Sequence, residues 1–288
     1  MKSMPSSRPP APEAAASSAP PRFRAPRLMG VVNVTPDSFY ADGRTPSAEA
    51  AVERALRLVD EGADFLDVGG QSTRPGCEAT ELEIELARVI PVIKALAKAV
   101  PVPLSVDTDK ARVAAEALDA GARIVNDVTA LRGDAGMARV AARAERVVLM
   151  HMRGLSPKTM QDDPRYGDVV AEVREFLAER LGAFAAAGGD PSRVWVDPGV
   201  GFGKNLEQNL ALIGRVGEFA AAAPVLLGVS RKSFLGKISA DAGPQERLPG
   251  SLALAVWAGF AGVEVLRVHD VAETKRALAA LAAVAGAA

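Results

Sequence analysis

The sequence predicts a (β/α)8 barrel of the α/β class, preceded by a disordered N-terminal tail. Three observations support this fold. Short apolar runs rich in β-branched residues recur eight times after residue 27, an Ala/Leu/Glu-rich stretch follows most of them, and the runs are continuously apolar. Continuous apolar strands are typical of a parallel sheet that is covered on its faces. Eight such units within 27–288 match the usual length of this barrel.

The predicted strands follow one another along the chain. They are LMGVVNV (28–34), DFLDVG (64–69), PLSVD (103–107), RIVND (123–127), RVVLMH (146–151), RVWVD (193–197), PVLLGVS (224–230) and VEVLRVH (263–269). Helical composition predicts helices over 48–62, 80–99, 168–187 and 270–285. Two of them end in EGAD and AAGGD, where a glycine follows the last helical turn, as helix ends commonly require.

A doubly wound open sheet is the structural alternative to the barrel. Its usual fingerprint is a G-x-G-x-x-G motif between the first strand and the first helix. No such motif follows the first predicted strand. The missing motif favours the barrel.

Residues 1–26 differ in composition from the rest of the chain. They hold seven of the 20 prolines and a single acidic residue, and they lack the continuous apolar core of a signal peptide. A Pro/Ala/Ser segment cannot bury enough apolar surface to offset its ordering entropy. We therefore expect a disordered tail over 1–26 and one catalytic barrel domain over 27–288.

Composition excludes several classes of function. The 34 Lys and Arg residues balance 35 Asp and Glu residues, so no basic excess indicates a nucleic-acid partner. No apolar run reaches the roughly 18 residues that a membrane span needs. The single cysteine, Cys77, excludes an intramolecular disulfide framework and a zinc site built from four cysteines. We expect a cytoplasmic protein that acts on small molecules.

Every predicted strand ends in a side chain that can donate or accept a hydrogen bond. Barrel enzymes carry their active sites at these strand ends. Two carboxylates there suit the N–H groups of a heterocycle, whereas cations suit a phosphorylated ligand. GVGFGKN (199–205) lacks the first glycine and the Ser/Thr of a phosphate-binding P-loop. The strand-end residues are Asn33, Asp67, Asp107, Asn126, Asp127, His151, Asp197, Ser230, Arg267 and His269.

With these residues in place, the sequence resembles the dihydropteroate synthases over the whole barrel. The resemblance rests on eight motifs in the correct order: MGVVNVTPDSF (29–39), DVGGQSTRPG (67–76), VDT (106–108), IVNDV (124–128), LMHMRG (149–154), DPGVGFGKN (197–205), GVSRKSFLG (228–236) and LRVHDV (266–271). The second motif carries Gln71 where Glu is usual, and the first continues as SFYADG rather than SFSDGG. These departures put in doubt only how the two loops close.

The resemblance implies a pterinylmethyl transferase of folate biosynthesis. Such an enzyme joins 6-hydroxymethyl-7,8-dihydropterin diphosphate to p-aminobenzoate, releases pyrophosphate, uses Mg²⁺, is the target of sulfonamides and forms a homodimer. The diphosphate leaves first, and the neutral amine then attacks a pterin cation. We expect Asp107, Lys232, Arg267 and His269 to carry the catalysis.

The resemblance also implies a binding role for each matching residue. Pterin binding falls to Asp107, Asn126, Met150, Asp197, Phe202 and Lys232. Diphosphate binding falls to Asn33, Thr73, Arg267 and His269, with Asn33 as the magnesium ligand. The p-aminobenzoate site is expected at Thr73, Arg74, Pro75, Lys232 and Ser233.

Other interpretations remain open at this point. A pterin-dependent methyltransferase would share the pterin carboxylates without needing a diphosphate site, and a non-catalytic pterin-binding relative would have lost Lys232 or Arg267. Asp67 can contact the ligand or support other side chains from behind. His151 is expected to be a packed, hydrogen-bonded histidine. Trp195 and Trp257 are expected to pack in the core and between helix and barrel.

Overall fold

The fold is an eight-stranded parallel barrel, seen in a computed structural model that describes residues 23–35, 48–72, 76–162, 164–239, 243 and 246–286. The strands are β1 (Arg27–Asn33), β2 (Phe65–Gly69), β3 (Leu104–Asp107), β4 (Ile124–Asp127), β5 (Arg146–Met150), β6 (Val194–Asp197), β7 (Leu226–Leu227) and β8 (Val265–Val268). All eight coincide with predicted apolar runs, so the predicted fold class is confirmed.

The helices of the described residues lie between the strands. They are α1 (Ala48–Asp60), α2 (Leu82–Ala99), α3 (Ala111–Asp119), α4 (Met137–Ala141), α5 (Val169–Ala186), α6 (Leu206–Gly214), α7 (Ser233–Ile238), α8 (Leu248–Phe260) and α9 (Val271–Gly286). The four helices predicted from composition are confirmed within two residues at each end. Gly62 and Gly188, the predicted stops, adopt φ values of +99° and +88°, which favour glycine.

The strands pair in parallel in the order β6-β5-β4-β3-β2-β1-β8-β7. The barrel closes between β6 and β7 through a single parallel bridge from Val196 to Val225, and the Val196 N–H donates to the Pro224 carbonyl at 3.0 Å. β7 is shorter than the predicted run 224–230. Only Leu226 and Leu227 pair as a ladder, with β8, while Val225 contributes the isolated bridge to β6.

Two apolar layers hold the barrel together. A large cluster fills the space between strands and helices, and a smaller one fills the barrel interior near the amino ends of the strands. Trp195 lies in the interior cluster with no exposed surface, as predicted. Trp257 differs from its prediction: it lies on α8 with 45% of its surface exposed, while its indole N–H donates to the Ile213 carbonyl at 3.0 Å.

The described part of the predicted tail contacts the barrel. The Phe23 ring meets Phe260 edge-on at 5.4 Å, and the Arg24 N–H donates to the Gly259 carbonyl at 3.2 Å. A Cβ at Gly259 would collide with the Phe23 ring, so glycine makes room for this contact. Residues 1–22 lie outside the described residues. Within the described part of the chain, no helix is both long enough and apolar enough to cross a membrane.

Candidate functional site

The polar site lies nearer to the carboxyl ends of the strands than the apolar interior does. Side chains in a β-strand alternate between its two faces, so the residue two positions after an inward apolar residue also points inward. The interior cluster contains Phe65, Ile124, Val148, Trp195, Leu226 and Val265. Two positions later lie Asp67, Asn126, Met150, Asp197, Gly228 and Arg267. The barrel therefore changes from apolar to charged toward the carboxyl ends of its strands.

Arg267 joins two carboxylates from neighbouring strands. Its Nε donates to Asp67 Oδ2 at 2.6 Å, and its Nη2 donates to Asp107 Oδ2 at 2.7 Å. Asn126 Nδ2 donates to the same Asp67 oxygen at 3.0 Å. Asp67 is fully buried and supports Arg267 and Asn126 from behind. This placement answers the question that the sequence left open about Asp67.

Burial alters the ionisation of the site. It raises the pKa of Asp107 to about 7, against the lowering effect of Arg267, while the Asp67 carboxylate adds to the rise. It also lowers the pKa of Lys232 to about 8, which the charges of Asp197 and Asp107 partly oppose. At neutral pH the Lys232 ammonium stays largely protonated, and Asp107 lies near the midpoint of its titration.

An apolar wall borders the charged residues. Met150 and Phe202, which the resemblance assigns to the pterin pocket, belong to it, and Lys232 Nζ lies 4.3 Å from the centroid of the Phe202 ring. A cation at this distance from an aromatic face is attracted by the ring. The wall is a small buried cluster that also contains Val128, Met152 and Met160.

The loop after β6 holds Asp197 in place. Asp197 Oδ1 accepts from the Gly199 N–H at 2.7 Å, and burial raises the pKa of this carboxyl. Gly199 has a φ of +68°, and a Cβ there would collide with the His151 carbonyl oxygen. Only glycine fits at this position.

His269 and Lys232 are each fixed by the loops that follow β7 and β8. His269 Nδ1 lies 3.1 Å from Ser230 Oγ, and burial with the charge of Arg267 lowers its pKa to about 3. Arg231, which precedes Lys232, pairs with Asp270 through both carboxylate oxygens. Arg231 has a φ of +57°, a strained value for a residue with a side chain, so this ion pair holds the loop in an unusual conformation.

The structure brings most of the predicted site residues to one end of the barrel. Asp107, Asn126, Met150, Asp197, Phe202, Lys232, Arg267 and His269 lie at or just beyond the strand ends. Asn33 ends β1, where it is in register with Gly69, and Ser233 begins α7. Thr73, Arg74 and Pro75 lie outside the described residues. His151 is buried and accepts from Lys204, which fits its predicted structural role.

Sequence reasoning missed two residues that shape the site. Lys204 lies within the motif DPGVGFGKN. Because this motif does not match a P-loop, Lys204 received no predicted role. Arg231 lies beside Lys232 in SRKS, where only its neighbours were assigned. In both cases the sequence did offer a signal, since a basic residue lies next to several residues with a predicted role in the site.

Known proteins resemble this chain over nearly its whole length. Residues 29–269 match the family described as pterin binding enzyme. The dihydropteroate synthase of Escherichia coli (strain K12) is 45% identical over 254 residues, which cover 88% of this chain and 89% of that protein.

Solved structures have the same fold. Xanthomonas albilineans dihydropteroate synthase with 4-aminobenzoic acid is 46% identical, with a TM-score of 0.84, covering 92% of this chain and 98% of that one. Yersinia pestis dihydropteroate synthase with a sulfonamide drug is 41% identical, with a TM-score of 0.85, covering 91% and 95%.

We expect Asp67→Asn to destabilise the fold strongly. The variant leaves Arg267 Nε without its buried anionic partner, and breaking a buried ion pair costs about 3–5 kcal/mol. For a domain of this size the melting temperature should fall by roughly 6–15 °C, measured by differential scanning calorimetry. Asp119→Asn is the control, because its pair with Arg143 is exposed and such pairs contribute about 1 kcal/mol at most. Equal melting temperatures for the two variants would contradict this interpretation of Asp67.

Proposed function

This chain belongs to the pterin-binding enzymes and, among them, to the dihydropteroate synthase family, and from that premise we propose how its residues carry out the reaction. The enzyme transfers a pterinylmethyl group from 6-hydroxymethyl-7,8-dihydropterin diphosphate to p-aminobenzoate. One observation carries the proposal. Asp107 and Arg267 are in direct contact at 2.7 Å, so a carboxylate for the pterin lies beside a cation for the diphosphate.

We propose that Asp107, Asn126, Asp197 and Lys232 hold the pterin edge. Carboxylates accept from the ring N–H groups, whereas the ammonium of Lys232 donates to a ring acceptor. Met150 and Phe202 supply the apolar wall against which a flat ring packs. Bidentate binding to a carboxylate also fixes the orientation of the ring.

The charged groups of the site assist the departure of the diphosphate. The C–O bond breaks, its electron pair leaves with the diphosphate, and positive charge spreads from the methylene into the pterin ring. Arg267 and the N–H of His269 stabilise the leaving group, and the Asp107 carboxylate stabilises the developing cation. The lone pair of the p-aminobenzoate amine then forms the C–N bond, and the nitrogen gives up one proton to the departed pyrophosphate or to solvent. The free amine is unprotonated at pH 7, so the reaction requires no strong general base.

Magnesium fits this site through a single protein ligand. We propose Asn33, a partly exposed amide at the end of β1, as that ligand. No group of three or more His, Cys, Asp or Glu side chains among the described residues could hold a metal by itself. Mg²⁺ commonly takes one or two protein oxygens together with substrate phosphates and water. When bound, it would neutralise charge on the leaving diphosphate.

The remaining expectations stay proposals. Thr73, Arg74, Pro75 and Ser233 are proposed to border p-aminobenzoate, and a cytoplasmic location is supported by a composition with one cysteine.

A second copy of this chain is the proposed partner. Its support is a row of exposed apolar side chains on consecutive helices: Leu210 on α6, Ile238 on α7 and Trp257 on α8, which are 44%, 53% and 45% exposed.

We expect Trp257→Ala to shift the protein from dimer to monomer. The change removes the largest apolar side chain of this row, and aromatic side chains dominate the energy of most interfaces. Sedimentation velocity over a range of protein concentrations measures the shift. Ile84→Ala is the matched control, since Ile84 is 43% exposed on α2, outside the row. A wild-type protein that stays monomeric would rule out the dimer, and a Trp257→Ala variant that stays dimeric would rule out this surface.

We expect pterin binding to strengthen as the pH rises toward 7 and then to level off. Asp107 accepts from the pterin only when ionised, and its pKa of about 7 sets the upper end of the change. Affinity for 6-hydroxymethylpterin, measured by calorimetry between pH 5.5 and 7.5, should rise by up to about tenfold per pH unit for this one proton. Asp107→Asn should bind the pterin roughly 10- to 150-fold more weakly at pH 7.5, from the loss of a charged hydrogen bond. The dependence of its pterin affinity on pH should also be smaller by the contribution of one proton.

Asp119→Asn provides the control, because its carboxylate lies on the surface away from the site. A variant at Asp107 that kept the full slope would show that another group takes up the proton. Asp197 would then be the candidate, since burial raises its pKa as well.

Pyrophosphate release tests the function and the roles of His269 and Arg267 together. Wild-type enzyme should release pyrophosphate over many turnovers only when both substrates are present, because the amine is needed to consume the pterin cation. His269→Gln keeps an N–H donor at the position of Nε2, so we expect the KM for the diphosphate substrate to rise by about 2- to 12-fold, the value of one neutral hydrogen bond. Arg267→Gln should be worse, because it removes a permanent charge and a planar fork that matches phosphate oxygens.

Arg267→Lys separates charge from shape, since it restores only the charge. A general base contributes about 10²–10⁴-fold to the rate. If His269→Gln lost kcat on that scale with an unchanged KM, His269 would be a base rather than a diphosphate ligand. If wild-type enzyme released no pyrophosphate, the proposed function itself would fail.

A further inference from the structure

Lys204 is a buried basic side chain that the proposed reaction does not use. It lies between β6 and α6 and is 4% exposed. Its ammonium donates to the carbonyls of Gly199 and Phe202, each at 2.9 Å, and to His151 Nδ1 at 2.9 Å. The hydrogen bonds that it makes with described residues thus go to carbonyl oxygens and one ring nitrogen.

A buried ammonium with uncharged partners is expensive. Removing such an ion from water costs several kcal/mol even after relaxation, and an apolar side chain of similar size often gives equal stability. Burial accordingly lowers the pKa of Lys204 well below its usual range. Stability alone therefore does not account for a lysine here. The geometry of the loop that it holds is the feature that an apolar residue could not reproduce.

Four side chains donate to or accept from the backbone of the loop from Gly199 to Lys204. Gln161 and Tyr166 donate to the carbonyls of Gly201 and Gly203 from the segment before α5, and Lys204 and Asn209 hold the loop from within. From inside the turn, Lys204 Nζ donates to the carbonyls of Gly199 and Phe202. Asn209 ties it from the α6 side: its Oδ1 accepts from the Gly201 N–H at 2.6 Å, and its Nδ2 donates to the Lys204 carbonyl at 3.2 Å. The Phe202 N–H also donates to the Gly199 carbonyl at 3.1 Å, but the Phe202 carbonyl and the Gly201 N–H would lose the partners that Lys204 and Asn209 give them. The loop conformation therefore depends on side chains rather than on regular secondary structure.

This loop carries one wall of the pterin pocket. Phe202, whose carbonyl binds Lys204, packs on the methionine cluster, and its ring faces Lys232 Nζ at 4.3 Å. Gly199, whose carbonyl also binds Lys204, donates its N–H to Asp197. One ammonium thus fixes the two backbone positions that set the Phe202 ring and the Asp197 carboxylate.

His151 completes the arrangement as an acceptor. When Lys204 is protonated its ammonium can only donate, so His151 Nδ1 then accepts and the ring is neutral. The ring is held edge-on against Phe176, at a centroid distance of 4.8 Å. Burial and the charge of Lys204 lower the pKa of His151 to about 2, which keeps the ring in this form throughout the working range.

We propose that Lys204, with His151 as its acceptor, is a positioning residue for pterin binding: it closes the loop after β6 so that Phe202 and Asp197 face the pterin ring. The proposal rests on the proposed function, because it concerns the pocket assigned there to the pterin. It assigns a role to two buried side chains that neither touch the reacting atoms nor bind the diphosphate.

The main experiment compares ligands in Lys204→Met, which keeps the length of the side chain and removes its charge. Affinity for 6-hydroxymethylpterin, measured by calorimetry, should fall on the order of tenfold to a hundredfold, the usual cost of losing a side chain that orients a ligand-binding group. The KM for p-aminobenzoate at saturating pterin diphosphate should stay within about threefold, the change expected for a site that the loop does not form. Lys98→Met, at an exposed lysine near the end of α2, is the control and should change neither value.

A pair of His151 variants keeps the test valid if Lys204→Met fails to fold. Asn places its Oδ1 near the position of His Nδ1 and keeps the acceptor, whereas Leu has a similar volume and no acceptor. We expect His151→Asn to keep pterin affinity within about threefold, one hydrogen bond being retained, and His151→Leu to lose about tenfold or more. Equal affinities for the two variants would overturn the proposal.

A double-mutant cycle shows whether Lys204 acts through Phe202. Residues that act as one unit give non-additive changes. Lys204→Met combined with Phe202→Leu should therefore bind the pterin little worse than the weaker-binding single variant. Fully additive losses, or a Lys204→Met variant that melts earlier but binds the pterin normally, would overturn the proposal. Wild-type enzyme that did not bind the pterin would instead contradict the proposed function.

Discussion

The site depends on one interaction, the contact of Arg267 with Asp67 and Asp107 across the inside of the barrel. It links β8 to β2 and β3, and the hydrogen bond from Asn126 to Asp67 extends the link to β4. These strands place their polar side chains within reach of one another because they belong to a closed parallel sheet. Without Arg267 the two buried carboxylates would repel each other, so the arginine stabilises the arrangement of the site apart from the chemistry that we propose for it.

The apolar layer at one end of the barrel interior offsets the energetic cost of the charged layer at the other end. Near the amino ends of the strands, Trp195 and Phe65 pack edge-on at 5.3 Å, and Arg27 lies over the Phe65 ring. This apolar layer supplies burial that the charged layer above it lacks, since dehydrated charges rarely gain net stability even when paired. A barrel can therefore carry an unfavourable cluster of carboxylates and cations at one end, provided that the layer below is tightly packed.

Local sequence patterns predicted the strands, the main helices and the residues at the strand ends, because both the alternation of side chains and the position of barrel sites follow from backbone geometry. They could not predict which strand-end residues pair. Asp67 and Arg267 are 200 positions apart, and their contact follows only from closure of the barrel. Trp257 was misjudged for a related reason: apolar content indicates that a helix is buried somewhere, but not which of its faces meets the barrel.

The choice of arginine at 267 follows from how many donors the site needs. A guanidinium offers five N–H groups in one plane and keeps its charge at any working pH, whereas an ammonium offers three at a single point and loses its proton more readily when buried. Arg267 uses Nε and Nη2 for the carboxylates, and its other N–H groups can still face a phosphate oxygen. Burial and the same permanent charge lower the pKa of His269, so in the proposed reaction the histidine would meet the diphosphate as a neutral donor. Positive charge is thus held by a group that cannot lose it, which favours the ionised form of the neighbouring carboxylates that we propose as acceptors for the pterin ring.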